Sequence, residues 1–182
     1  MIEFFKDPFF WAMISMFGFV GATSMFSKHK YTNNIIFVSL SLLFVTVGRI
    51  ILVLPFCPQP RFDIGEIHLF LGGLLLVIGF GIVLIPTFIV KWWSPPKEDM
   101  KLRTTGIYGL IRHPIYFFEV VWFLALSIIF RSTYGLALSP IWWLVFLIHT
   151  LSEEAELERV LGDEYLQYKK KVRGRMFPGL PF

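Results

Sequence analysis

Two short stretches of this chain carry side chains able to do chemistry. The first is Thr105-Gly-Ile-Tyr-Gly-Leu-Ile-Arg-His-Pro-Ile-Tyr116, and the second is the acidic block from Glu153 to Tyr168. Pro114 suits the first position of a helix, where a missing N–H is no loss. Arg112 and His113 then stand at that helix's N-terminus, whose free N–H groups and positive dipole end favour an anion such as a ligand carboxylate. The other reading is that Arg112 reaches for lipid headgroups and His113 merely caps the helix. Glu153 and Glu154 fall at the expected end of another helix, where carboxylates oppose the dipole. A cationic ligand, a sulfonium or an ammonium, would explain them; a solvated acidic start to the next helix is the alternative. His149 lies four residues before Glu153 and so shares its helical face. An imidazole titrates near neutral pH and can take a proton from an acceptor.

The elements that must position these residues are apolar. A spanning helix needs about 20 mostly apolar residues, and the sequence predicts about five spans, at 8–27, 35–54, 67–90, 115–130 and 134–151. Lys28-His29-Lys30 ends the first, and Pro55, Pro58 and Pro60 stop the second. Gly72, Gly73, Gly79 and Gly81 in the third suit close helix contacts in lipid, and Trp92 and Trp93 suit an interface. Only Arg131-Ser-Thr separates the last two spans, which makes them a tight antiparallel hairpin. Gly106 fits a turn that needs positive φ. Beyond residue 151 the expectation is a polar, amphipathic C-terminal helix and a basic end. The expected fold is therefore an all-α integral membrane protein, a single domain over 1–182.

Composition agrees. Of 182 residues 55% are hydrophobic, 18% aromatic and only 16% charged, against nearer a quarter charged in soluble domains. The single Cys57 excludes an intramolecular disulfide and a thiolate cluster for zinc, and no metal site is expected. The net charge of +4 does not point to nucleic acid, because the basic residues sit in alternate loops. Loops 28–34, 91–114 and 152–182 hold two, five and six Lys or Arg, against three on the opposite side. The positive-inside rule then puts the N-terminus outside and the C-terminus, with both polar stretches, in the cytosol. The first apolar stretch lacks the basic flank and small-residue cleavage site of a signal peptide.

The pattern Thr-x-Gly-Ile-Tyr-x-x-x-Arg-His-Pro-x-Tyr, followed by Glu-Glu-x-x-Leu and Leu-Gly-Asp-Glu-Tyr-Leu-Gln-Tyr-Lys-Lys-Lys-Val, resembles the isoprenylcysteine carboxyl methyltransferase family over about residues 100–178. That family is part of a wider group of membrane methyltransferases acting on isoprenylcysteine or phospholipids. The resemblance implies S-adenosylmethionine as cofactor, bound at the cytosolic face, with a lipophilic acceptor arriving from the bilayer among membrane lipids. Family cofactor contacts fall on Met100, Lys101, Leu102, Arg103, Tyr108, His113, Pro114, Ile115 and Tyr116, and on Glu153. The chain departs from the family twice. Phe118 stands where a small residue is usual, which should narrow or reshape the pocket. His149 replaces an arginine that orients the acceptor carboxylate, and an imidazole lacks the guanidinium's bidentate fork. His149 is then expected to face the acceptor. Arg49, deep in the second span, is either a substitute carboxylate anchor or an ion-pair partner of Glu119. Two other classes remain beside this one: a nicotinamide-dependent sterol-reductase-like enzyme, whose family has a similar Arg-His-Pro region, and a non-catalytic membrane scaffold.

Overall fold

The structure, a computed structural model, describes residues 2–23, 35–84 and 102–181. The described residues form six α-helices: α1 (Pro8–Thr23), α2 (Ile35–Val53), α3 (Ile67–Val77), α4 (Pro114–Ile129), α5 (Thr133–Leu161) and α6 (Asp163–Lys171). Helix α3 continues as a π-helical stretch, Ile78–Leu84, and Gly106–Gly109 forms one 3₁₀ turn. Lys28-His29-Lys30, residues 85–90 of the expected third span, and Trp92 and Trp93 lie outside the described residues.

Among the described residues one helix, α5, is long and apolar enough to cross a membrane by length and composition. Four shorter apolar stretches accompany it: Pro8–Gly21, Ser39–Val53, Ile67–Gly81 and Pro114–Ile129. Their outer faces are unlike those of a soluble protein. Phe9, Met13, Phe17 and Val20 stand exposed along one stripe of α1, as do Ile141, Leu144, Ile148 and Leu151 along α5. Spacings of three and four residues put each set on a single helical face, and apolar stripes of that length call for an apolar solvent.

The chain divides into two compact units. The first comprises Met1–Gly73 and Phe123–Ile141. Within it α1 and α2 pack closely because small residues meet: a Cβ on Gly18 would lie 2.6 Å from the Ser41 carbonyl oxygen, and one on Gly48 would lie 2.7 Å from that of Trp11. Ser15 Oγ adds a hydrogen bond across the pair, donated to the Val45 carbonyl at 3.0 Å. The loop after α2 is organised by Arg61. Its guanidinium donates to the carbonyls of Val53 (2.7 Å), Leu54 (2.6 Å), Cys57 (3.1 Å) and Phe130 (2.8 Å). It thus occupies acceptors that the end of α2 leaves without intrahelical partners. The turn between α4 and α5 is as tight as its three residues require, with Arg131 at φ 52 and Ser132 N–H bonded to the Ser127 carbonyl at 2.8 Å.

The second unit comprises Leu74–Trp122 and Trp142–Phe182 and holds both polar stretches. The expectation that the fifth helix ends near residue 151 is corrected here. Helix α5 runs unbroken to Leu161, because Glu and Leu after residue 151 are good helix formers and change only the solvent the helix prefers. The break comes at Gly162, whose φ of +54 no other residue type adopts freely. Helix α6 then starts with Asp163 and Glu164 and ends with three lysines, matching its dipole at both ends.

Candidate active site

The buried side of α5 changes character along its length. Trp142 and Phe146 give way to His149, then to Glu153 and Glu154. Across from them α4 starts at Pro114, as expected, and Gly106 opens the preceding turn at φ +63.

Glu154 is the centre of a buried charge network. It is 2% exposed and accepts from Arg112 Nε at 2.8 Å, with Arg112 Nη2 also at 2.8 Å. Arg175 donates to both its oxygens at 3.2 Å, His113 Nε2 lies 3.2 Å away, and Lys169 Nζ lies 3.5 Å away. Burial alone would raise the Glu154 carboxyl, but bonds to His113, Arg112 and Arg175 hold it far below the usual carboxylate range. Arg112 Nη1 also donates to the carbonyls of Val172 (2.5 Å) and Arg173 (3.0 Å).

Two expectations are corrected by this arrangement. Glu154 is not part of a solvated acidic face. Arg112 is not a free anion anchor, because a carboxylate of the same chain already holds it. The backbone N–H groups of Arg112 and His113 are likewise taken, by the carbonyls of Gly174 and Arg175 at 2.9 Å. The segment that supplies those carbonyls turns back on itself through Phe177-Pro-Gly-Leu180. Gly179 sits there at φ +74, and the ring of Phe177 packs edge-on against Phe117 at 5.4 Å.

Glu153, the next residue, is placed differently. Its side chain is 26% exposed, and its Oε2 is buried with no hydrogen-bond partner among the described residues. The nearest ion contact of that oxygen is His113 Nδ1 at 3.4 Å. Burial opposes ionisation of Glu153, yet its interactions with His113, and then with Tyr116 and His149, lower its pKa. For His113 burial disfavours the cation, but Glu153 and Glu154 together outweigh it and raise its pKa.

A cavity of about 140 Å³ opens beside these groups. Its walls include Leu102, Arg103, Tyr108, His113 and Glu153, five residues expected from the sequence to hold a cofactor. Such a volume is room for one moiety of a ligand, below the roughly 300 Å³ at which small-molecule sites begin. Of the other expected contacts, Pro114 is the first residue of α4 and Ile115 and Tyr116 follow it, outside the cavity wall. The Tyr116 ring packs against His113 (5.7 Å), Phe146 (5.7 Å) and, edge-on, His149 (5.3 Å). Met100 and Lys101 lie outside the described residues.

Phe118 does not narrow the cavity; it packs edge-on against Phe80 at 5.1 Å and lies over Gly79. Arg49 belongs to the first unit, 1% exposed, with Nε donating to the Val45 carbonyl at 3.3 Å and the guanidinium 5.8 Å from the Phe123 ring centre. Glu119 accepts a hydrogen bond from Trp122 Nε1 at 3.0 Å.

The sequence reading missed Leu157, Leu161, Tyr165 and Tyr168, which complete the cavity wall. For the leucines a signal was present: Glu153, Leu157 and Leu161 recur every fourth residue and so share one face of α5. The two tyrosines pack with Leu102, Leu157 and Leu161 into an apolar cluster.

The profile of the phospholipid methyltransferase family matches residues 67–164, more than half of the chain and all of the stretch from α3 through α5. The chain belongs to the phospholipid methyltransferase family. Among curated proteins, it is 39% identical over 82 residues to a protein-S-isoprenylcysteine O-methyltransferase of Schizosaccharomyces pombe, covering 43% of this chain and 34% of that one. The human protein of the same name is 34% identical over 87 residues, covering 47% and 29%. These matches bear out the resemblance to isoprenylcysteine carboxyl methyltransferases. A methanethiol S-methyltransferase of Pseudomonas deceptionensis is 25% identical over 158 residues, covering 75% of this chain and 58% of that one. The matched stretches thus span less than two thirds of each of these relatives.

Proposed function

We propose that this protein is an S-adenosylmethionine-dependent methyltransferase whose acceptor is the carboxylate of an isoprenylated cysteine presented from the bilayer. The observation that carries the reading is Glu153: a carboxylate kept ionised beside His113, with one buried oxygen unpartnered among the described residues, on the wall of a cavity. Its charge and its open acceptor suit a cationic ligand with N–H or O–H donors, and the cofactor is such a molecule. The relatives' names supply the acceptor class.

In this reading the cofactor supplies an electrophilic methyl group on a sulfonium. The residues of the chain do the rest by placement. Leu102, Arg103, Tyr108, His113 and Glu153 hold the donor from the cavity wall, and Met100, Lys101, Pro114, Ile115 and Tyr116 are assigned to the same task from the family pattern. His149, packed on Tyr116 one turn before Glu153, faces the acceptor and orients its carboxylate. For an acceptor that must lose a proton, a ring nitrogen of His149 would take it. Trp142 and Phe146 keep water from the reacting atoms. Five apolar spans in a single membrane domain over 1–182, N-terminus outside and C-terminus cytosolic, place this chemistry where a charged cofactor is soluble.

The test is purified protein with methyl-labelled S-adenosylmethionine and a panel of farnesylcysteine, a phospholipid amine and an alkanethiol. Base-labile label in farnesylcysteine is the expected result. Label only in the thiol or the amine would overturn the acceptor, and protection by NADPH but not by S-adenosylhomocysteine would overturn the methyl donor.

A further inference from the structure

Two tyrosines one turn apart on α6 are alike in burial and opposite in bonding. Tyr168 donates its hydroxyl to the Tyr108 carbonyl at 2.7 Å and so ties α6 to the 3₁₀ turn. Tyr165 is 1% exposed, and its hydroxyl has no hydrogen-bond partner among the described residues. A buried hydroxyl without a partner costs about 1–3 kcal/mol, and native structures tolerate few such groups without a reason. Tyr165 lines the same cavity as Glu153 and His113, so a bound molecule can supply the missing partner.

The surroundings say which part of that molecule. Leu102, Leu157 and Leu161 pack around Tyr165 and Tyr168. Apolar side chains beside an aromatic pair suit a flat, weakly polar ring, and disfavour an ammonium or a carboxylate, which would lose its hydration there. The ionic residues of the cavity wall, Arg103, Arg112, His113 and Glu153, suit the charged part instead. A phenol is a good donor to a ring nitrogen at the edge of such a ring.

Resting on the methyl-donor reading above, we infer that Tyr165 is a specificity-determining contact for the nucleoside half of the cofactor, its hydroxyl donating to the adenine ring in the apolar part of the cavity. Tyr168 is the matched structural tyrosine.

The experiment compares wild type, Tyr165→Phe and Tyr168→Phe as full chains in detergent. It measures calorimetric affinity for S-adenosylhomocysteine and for methylthioadenosine, which lacks the amino-acid half, and the thermal midpoint without ligand. Expected for Tyr165→Phe is a loss of about three- to tenfold in affinity for both ligands, with a ligand-free midpoint equal to or above wild type. Tyr168→Phe should lower that midpoint. Unchanged affinity in Tyr165→Phe, a loss for S-adenosylhomocysteine alone, or a midpoint lowered as in Tyr168→Phe would each overturn the inference while leaving the methyl-donor reading intact. A wild-type protein that binds neither ligand overturns that reading, and the inference with it.

Discussion

Glu153 and Glu154 are adjacent and chemically identical, and the structure gives them opposite surroundings. That contrast can be measured. Replacing Glu154 by Gln keeps the shape of the side chain and removes the charge that four side chains converge on, Arg112, Arg175, His113 and Lys169. Arg112 is then a buried cation, 3% exposed, without its counter-ion. Breaking a buried pair from one side costs about 3–5 kcal/mol. Arg112 keeps its bonds to the Val172 and Arg173 carbonyls, so the lower end, about 3 kcal/mol, applies here. At about 2–4 °C per kcal/mol for a chain of this size, the midpoint should fall by roughly 6–12 °C. Replacing both partners, Arg112→Met with Glu154→Leu, should restore only part of that loss, because Arg175 is still left without its carboxylate. Glu153→Gln should lower the midpoint by clearly less, because the carboxylate it removes has His113 as its ion partner at 3.4 Å and no arginine. It should instead abolish S-adenosylhomocysteine binding. The assay is thermal unfolding in detergent, followed by calorimetry at a temperature where all variants are folded. A Glu154→Gln midpoint within 2 °C or so of wild type would refute the reasoning. So would a folded Glu153→Gln that binds like wild type.

The same network sets a pH dependence. The Glu154 pKa is depressed on folding, so its stabilisation is present above the ordinary value of 4.5 and lost as pH falls below it. The His113 pKa is raised, so its contribution is complete below the ordinary 6.5 and fades as pH rises through the folded value. Stability should peak between those limits, and Glu154→Gln should flatten the acid side; a chemical denaturation series against pH reads both. Arg61→Ala removes a donor from four carbonyls, of which Leu54 keeps the Cys57 N–H at 3.1 Å, and should cost about 2–4 kcal/mol. Arg61→Lys should rescue little of it, because an ammonium cannot reach several acceptors in fixed directions; the midpoint of each variant checks this.

Much of the fold was legible in the sequence because the lipid-facing code is simple. Apolar runs of the right length, Pro114 at a helix start, a three-residue link before α5 and glycine at 106 each have one easy reading. The placing of Glu153 and His149 on one face of α5 was legible too, from their spacing. What could not be read was partnership. Nothing in Glu-Glu distinguishes the residue that Arg112 and Arg175 will reach from the one left open, because those arginines lie 42 residues before and 21 residues after Glu154. The run of charges after residue 151 also mimicked a helix end, although charge alters a helix's solvent rather than its backbone. Tyr165 and Tyr168 differ only in whether a distant carbonyl comes within reach, and no local pattern encodes that.

The continuity of α5 carries a consequence for what changes the protein can accept. Its 29 residues form a rod about 43 Å long, at 1.5 Å of rise per residue. The membrane-facing stripe that ends at Leu151 and the carboxylates at 153 and 154 are therefore keyed to one another like teeth on a single shaft. Substitutions along the outer stripe leave that keying untouched. One residue inserted between Leu151 and Glu153 turns everything beyond it by about 100°, so Glu154 would leave its arginines while the lipid-facing half stayed seated.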